Sequence, residues 1–315
     1  MSNVAVIGVG ALGRRHLQAI LGEQNGIKVY GVETNNELLK SLQEEMPEVV
    51  FTNNIAELPD HISAAVIATS SNVRRMVFDE LVSHCKIDNI IFEKVLFQKE
   101  EDYYHVKEIL EEKGINAWVN CARREWDAYH QLKEKLRDVN EMHISGIGGQ
   151  WGMGCNSIHI LDLIEYLSGD TVTTIDITGL EDGIIDSKRK GFKEFFGTIK
   201  GNSGKCKTYQ LTCIKESTLP FIITICTDQG RYIINETRSS IQFAEVKNNW
   251  EWQKEGFPLI YQSQLTGRVI KSILSTGKCN LSDYDSSMRL HLMLIRELIK
   301  FFNKNGMTDD LCPIT

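Results

Sequence analysis

In the stretch GMGCNSIHILDL, Gly152–Leu163, Cys155 and His159 stand four residues apart inside an apolar helical pattern. Residues at that spacing share one face of a helix. The pair therefore has four uses: a shared metal, a thiolate pair, plain packing, or proton transfer by His159 while another group moves a hydride. Soft zinc sites need three or four ligands at diagnostic spacing. No further Cys or His cluster lies nearby, so no metal is expected. A helix N-terminus favours a thiolate at Cys155, but no acyl-transfer signature accompanies it, and Cys155 reads as a packing or pocket-lining residue. Histidine titrates near neutral pH and serves as an acid or base with little tuning. A satisfied helix histidine facing the core is the plainer alternative for His159.

A second chemistry-bearing stretch opens the chain. VAVIGVGALGRRH sets Gly8-x-Gly10-x-x-Gly13 directly after an apolar run and at the head of a helical pattern. In a strand–turn–helix context, Gly8 permits the tight turn, Gly10 lets backbone approach a pyrophosphate, and Gly13 lets helix and strand close up. The helix start, with Ala11 and Leu12, then offers N–H groups to the phosphates. An acid is expected some twenty residues on, and Glu33 ends the second apolar run in VYGVETNN. A carboxylate there accepts ribose hydroxyls and repels a 2′-phosphate, so NAD is expected in preference to NADP. Glu93-Lys94-Val95 closes the fifth strand candidate, at the carboxyl edge where ligands of open α/β sheets lie. Lys94 there would favour a developing alkoxide, with the nicotinamide doing the hydride chemistry.

These residues need a scaffold. Strand candidates at Val4–Ile7, Ile27–Val32, Val49–Phe51, Ala64–Ala68, Asn89–Phe92 and Ile115–Val119 alternate with helical stretches Ala11–Leu21, Asn36–Glu45, Asn72–His84 and Glu101–Lys113. That alternation predicts a doubly wound parallel sheet over residues 1–121. Residues 122–315 are expected to form a second, α+β domain. It begins with a polar helix, Arg123–Val139, a strand at Met142–Gly146, and the helix holding His159, ending at Gly169. VTTIDITGL, EFFGTIKGN, KTYQLTCIK, PFIITICTD, GRYIINET and SIQFAEVK follow without intervening helices, which predicts an open, mostly antiparallel sheet. An amphipathic helix, 284–303, is expected to pack back on the body. Lys94 and His159 would then meet only in an interdomain cleft, where ligand pockets concentrate.

Composition narrows the function classes. A net charge of −7 with no long basic block argues against nucleic acid as a partner. No apolar run reaches the length of a membrane span, and the N-terminus lacks a basic leader with a cleavage site; a cytoplasmic protein is expected. The eight cysteines form no C-x-x-C pair, so a disulfide framework is not expected and several should be buried as small hydrophobes.

Taken together, VAVIGVGALGRRHL, AAVIATSSN, IIFEKVL, VNCARREW, HILDLIEYLSG and FFGTIKGN resemble the Gfo/Idh/MocA family, the glucose–fructose oxidoreductase and inositol dehydrogenase group. The resemblance runs from residue 4 to about 303. It implies a Rossmann domain followed by an open-faced sheet used for substrate binding and homo-oligomer contacts, with NAD(P)-dependent chemistry on a sugar or polyol hydroxyl. By position it implies that Lys94 touches cofactor and reacting hydroxyl, that His159 is catalytic, and that Asp162 supports its helix. Thr69, Ser70 and Asn72 would line the ribose side, with Glu93 beside the cofactor. Three positions depart from the family pattern: Val95 replaces a proline, Cys155 a frequent aspartate, and Arg74 a common histidine. Asn156 could supply a hydrogen bond in place of the aspartate but cannot take a proton.

The expected function is hydride transfer between NAD and a hydroxyl or keto carbon of a sugar, amino sugar or sugar nucleotide. Arg123 and Arg124 are candidates for substrate oxygens or a carboxylate, and Trp151 and Tyr209 for stacking on a sugar ring. Asp283 and Asp285 read as helix-cap chemistry. A non-catalytic NAD or ligand sensor on the same scaffold is the rival reading. An unrelated Rossmann enzyme such as an amino-acid dehydrogenase explains the N-terminus but not HILDLIEYLSG.

Overall fold

The computed structural model describes residues 1–23, 26–308 and 310–315. In chain order it runs β1 (Ser2–Ile7), α1 (Ala11–Leu21), β2 (Ile27–Val32), α2 (Asn36–Glu45), β3 (Val50–Thr52), β4 (Ala64–Ile67), α3 (Arg74–His84), β5 (Asn89–Phe92), α4 (Glu100–Lys113) and β6 (Asn116–Val119). Then follow α5 (Asp127–Lys135), β7 (Met142–Gly149), α6 (Met153–Ser168), β8 (Val172–Leu180), β9 (Gly197–Ser203) and β10 (Cys206–Ile214). The remainder is β11 (Ile222–Thr227), β12 (Gly230–Asn235), β13 (Ser240–Glu245), β14 (Gln253–Gly256), α7 (Gln262–Thr276), β15 (Ser282–Asp283) and α8 (Tyr284–Lys304).

Two compact units result: Met1–Glu125 with Ile260–Met288, and Trp126–Leu259 with Arg289–Thr315. The sequence predicts one boundary after residue 121 with residues 122–315 as one domain; in the structure residues 260–288 belong to the first unit. The reason is α7, which no sequence expectation covered. It buries Leu265, Val269, Ile270 and Ile273 and packs along α1. Their spacing, i, i+4, i+5, i+8, is a helical stripe that was legible in QSQLTGRVIKSILST.

In the first unit the sheet order is β15-β6-β5-β4-β1-β2-β3, parallel except where β15 meets β6. Val4, Ala5 and Val6 on β1 and Ala65, Val66 and Ile67 on β4 are fully buried, as continuous apolar runs must be when both sheet faces are covered. The chain leaves β1 toward β2 on one side and reaches β4 on the other. That reversal of strand order opens a crevice beyond the carboxyl ends. Asn35 fixes the start of α2 by accepting the Glu37 and Leu38 N–H groups at 3.0 and 3.1 Å. At α4, three acids in the first turn and Lys113 in the last complement the helix dipole.

In the second unit the order is β8-β9-β10-β7-β11-β12-β13-β14. Only β10 and β7 run parallel among these neighbours, so the expected mostly antiparallel sheet is present. The almost wholly buried helix α6 lies against β7, β8 and β10. The polar helix expected over Arg123–Val139 is shorter. Residues Ala122–Glu125 form a 3₁₀ turn, Trp126 is extended, and α5 ends at Lys135. Trp126 breaks the run by stacking on Tyr129 at 5.8 Å between ring centroids. The far end of α8 packs Phe301 and Phe302 on Phe195. Cys85, Cys121, Cys206, Cys213 and Cys312 are buried and reduced, as small hydrophobes; burial pushes the Cys206 thiol up to about 12.

Candidate nucleotide-binding and catalytic residues

The loop after β1 is shaped by two steric facts. Gly8 has φ +87°, a left-handed conformation that a side chain resists. A Cβ on Gly13 would lie 2.1 Å from the Gly8 carbonyl oxygen, so only glycine lets α1 start this close to β1. Gly10 is different: a Cβ there meets nothing within 4 Å. Its exposed backbone heads a helix with no side-chain cap and no acid in its first turn. The first-turn N–H groups and the dipole of α1 are therefore directed at open space, the arrangement that accepts a phosphate. Ala11 is exposed and Leu12 half-buried beside it.

Gly8 abuts Thr69 after β4; a Cβ at Gly8 would come within 2.7 Å of Thr69 Cγ2. Among the described residues the buried Thr69 hydroxyl has no hydrogen-bond partner, as suits a group reserved for a ligand. Ser70 donates to Asn72 Oδ1 at 2.8 Å. Glu33, half-buried at the end of β2, accepts the Asn35 N–H on Oε1 at 3.0 Å. A glycine cradle, an orphaned hydroxyl and a strand-end carboxylate on one sheet edge fit a dinucleotide.

Lys94 follows β5 at the same edge and is half-buried; the Lys94–Val95 peptide bond is cis. Arg74, noted in the sequence only as a departure, organises this corner. It is 1% exposed, and its guanidinium donates to the carbonyls of Thr69, Val95 and Leu96, the last at 2.8 Å. One planar fork thus ties the loop after β4 to the turn that carries Lys94.

Glu93 points inward. Expected beside the cofactor, it is 3% exposed and its carboxylate is used inside the protein. It accepts from His16 Nε2 at 3.1 Å, from Asn120 Nδ2, and from the Lys94 N–H at 3.3 Å. Burial would raise its pKa, but the hydrogen bonds from His16 and the Asn120 amide and the charge of nearby Lys94 outweigh it and hold it below the ordinary value. A side chain at a strand end alternates inward and outward, and Glu93 takes the inward place.

In the second unit, α6 begins at Met153 after Gly152, which has φ +73°. Cys155 and His159 are half-buried, Asp162 is buried, and Gly169 ends the helix with φ +74°. No acid of its own caps α6. Glu194, which no motif singled out, supplies the carboxylate and accepts the Gly154 N–H at 2.7 Å. Burial raises the Glu194 pKa even against the backbone bonds from Gly154 and Cys155. Residues 154 and 194 are too far apart in sequence for any local pattern to pair them.

The two aromatics expected to face a sugar make contacts within the second unit. Trp151 packs on Phe221 at 4.6 Å and donates its indole N–H to Thr212 O at 2.9 Å. Tyr209 is 1% exposed and donates to Thr174 O. The Asn156 amide donates to Trp151 O at 2.7 Å, closing the turn before α6. Arg123 and Arg124 are half-buried in the 3₁₀ turn after β6. Among the described residues no group of three or more His, Cys, Asp or Glu could hold a metal ion, and no helix is long and apolar enough to cross a membrane.

Residues 2–121 match the family model described as "Oxidoreductase family, NAD-binding Rossmann fold", the Gfo/Idh/MocA model. Over those residues the chain is similar to the nucleotide-binding domain of that family. No curated protein sequence matches the chain. Solved structures extend the likeness in fold to both units. An oxidoreductase from Agrobacterium radiobacter, in complex with NAD+, L-tartaric acid and magnesium, superposes with TM-score 0.76 at 15% identity, covering 98% of each chain. UDP-N-acetylglucosamine 3-dehydrogenase from Acidithiobacillus ferrooxidans gives 0.72 at 12%, over 94% of this chain and 96% of that one. The transcriptional regulator Gal80p from Kluyveromyces lactis gives 0.72 at 17%, over 98% and 91%. At these identities the likeness establishes the fold.

Proposed function

We propose that this chain is a Gfo/Idh/MocA-type, NAD-dependent oxidoreductase that transfers a hydride between the nicotinamide and a hydroxyl or keto carbon of a sugar, amino sugar or sugar nucleotide. The observation that carries the reading is the strand-end arrangement: an open glycine cradle, the orphaned Thr69 hydroxyl, the Glu33 carboxylate and Lys94 on one sheet edge. Bound NAD would supply the hydride acceptor. Lys94 as a cation stabilises oxyanion character at the reacting oxygen, and His159 takes or returns the hydroxyl proton. Glu33 holds the ribose hydroxyls. The dehydrogenase acting on UDP-N-acetylglucosamine supports a carbohydrate substrate class. A homo-oligomer formed through the second unit's sheet and a cytoplasmic setting complete the proposal.

The test is turnover. The protein is mixed with NAD and a panel of polyols, sugars, amino sugars and sugar nucleotides, and NADH is followed. Activity is expected on at least one member. His159→Ala should lower kcat about 10²–10⁴-fold, the range for losing an acid–base group, while calorimetry shows NAD affinity retained. Near-normal turnover in His159→Ala would remove it from the mechanism. The Gal80p likeness favours a second reading, a ligand-sensing regulator; tight NAD binding without turnover across the panel selects it.

Cofactor choice has its own test. With Glu33→Ala, loss of a carboxylate beside the ribose should shift the NADP-to-NAD affinity ratio about tenfold toward NADP, from lost repulsion of the 2′-phosphate. An unchanged ratio in paired titrations removes Glu33 from the ribose site.

A further inference from the structure

Behind Lys94 lies a buried polar ring. His16 is wholly buried on α1, three residues beyond Gly13, and its Nδ1 is 2.7 Å from Thr266 Oγ1 on α7. Gln262 donates from Nε2 to Thr266 Oγ1 at 2.7 Å and accepts from Asn120 Nδ2 at 3.0 Å. Asn120 also donates to Glu93 Oε1, the same oxygen that His16 Nε2 meets. Each link has one donor and one acceptor when His16 carries a proton on Nε2 and accepts the Thr266 hydroxyl at Nδ1. Glu93 then spends its other oxygen on the N–H of Lys94. A satisfied buried network of this kind fixes one geometry, because each broken link strands a buried polar group.

We infer that Gln262 and Thr266, on the helix that returns from the far end of the chain, are positioning residues for Lys94, acting through His16 and Glu93. Both lie on α7, and Gln262 reaches the end of β6 through Asn120. They act because the Lys94 peptide is anchored to Glu93, whose orientation depends on His16 and Asn120, and α7 holds both. This rests on the reading of Lys94 given above. Removing the Thr266 hydroxyl takes away the close partner shared by His16 Nδ1 and Gln262 Nε2, leaving only their own 3.4 Å contact, and loosens the hold of His16 on the Glu93 carboxylate. The Lys94 amine then loses its fixed placement.

The experiment compares Thr266→Val, Gln262→Leu and Thr266→Ser with wild type. Two readouts are used: kcat on the active substrate, and the acetylation rate of Lys94 by acetic anhydride, resolved by mass spectrometry with NAD present. Thr266→Val and Gln262→Leu should lower kcat about 10- to 100-fold, the cost of a misplaced reacting group, with KM for NAD little changed. Lys94 acetylation should change several-fold relative to the other lysines, and Thr266→Ser should restore both readouts. Unchanged Lys94 acetylation in both Thr266→Val and Gln262→Leu overturns the inference, including where the melting temperature falls. If wild type turns over no substrate, the enzyme reading fails, while altered acetylation in the variants still upholds the positioning role.

Discussion

Lys94→Ala is expected to reduce kcat about 10²–10³-fold, the range for deleting one preorganised donor to a developing oxyanion. NAD affinity and melting temperature should change little, because the groups that fix the turn are not the lysine amine. The peptide of Lys94 is held by Glu93, and the carbonyls that follow are held by Arg74. The Lys94 side chain itself is half-buried at the end of β5. Lys94→Arg retains the charge but widens it into a planar fork with different reach, so it should recover only a minor part of the lost rate. Stopped-flow rates of NADH formation with the best panel substrate check this. Near wild-type hydride transfer in Lys94→Ala would leave the sheet edge without its electrostatic catalyst and end the mechanism proposed for it.

Gly13→Ala and Gly10→Ala should behave oppositely although they lie three residues apart in one loop. The Gly13 methyl would sit 2.1 Å from Gly8 O and 3.0 Å from Gly8 C, and both are backbone atoms. Only a shift of α1 away from β1 relieves the clash. Overpacking of this kind costs about 1–3 kcal/mol, visible as a lowered denaturation midpoint, and NAD affinity falls with it because the helix N-terminus moves. The Gly10 methyl meets no protein atom within 4 Å and the backbone there has an ordinary negative φ. Stability should therefore be preserved in Gly10→Ala, while the methyl occupies the space a pyrophosphate needs and NAD affinity drops by about tenfold or more. Thermal unfolding and calorimetric titration separate the two effects. Unchanged NAD affinity in Gly10→Ala would show that the cradle is not where the phosphates bind.

For one half of the molecule, local pattern was enough. Apolar runs of three to six residues separated by helical periods encode the parallel sheet, and the helices Ala11–Leu21 and Asn36–Glu45 fall where the sequence places them. The glycine positions were legible for the same reason: turn geometry and close approach are properties of consecutive residues. The helix bearing Cys155 and His159 was legible too, bounded by two glycines that accept positive φ. What tertiary structure alone decided is where polar side chains spend their hydrogen bonds. Glu93 turned inward to His16 and Asn120, Trp151 gave its N–H to a strand carbonyl, and Arg74 became a clamp across two loops. Glu194 reached the head of α6, and α7 crossed the expected boundary to pack on α1. A strand or helix declares itself through the spacing of its own residues, whereas a buried hydrogen bond is chosen among all donors and acceptors that the finished fold brings within reach, and sequence distance carries no record of that choice.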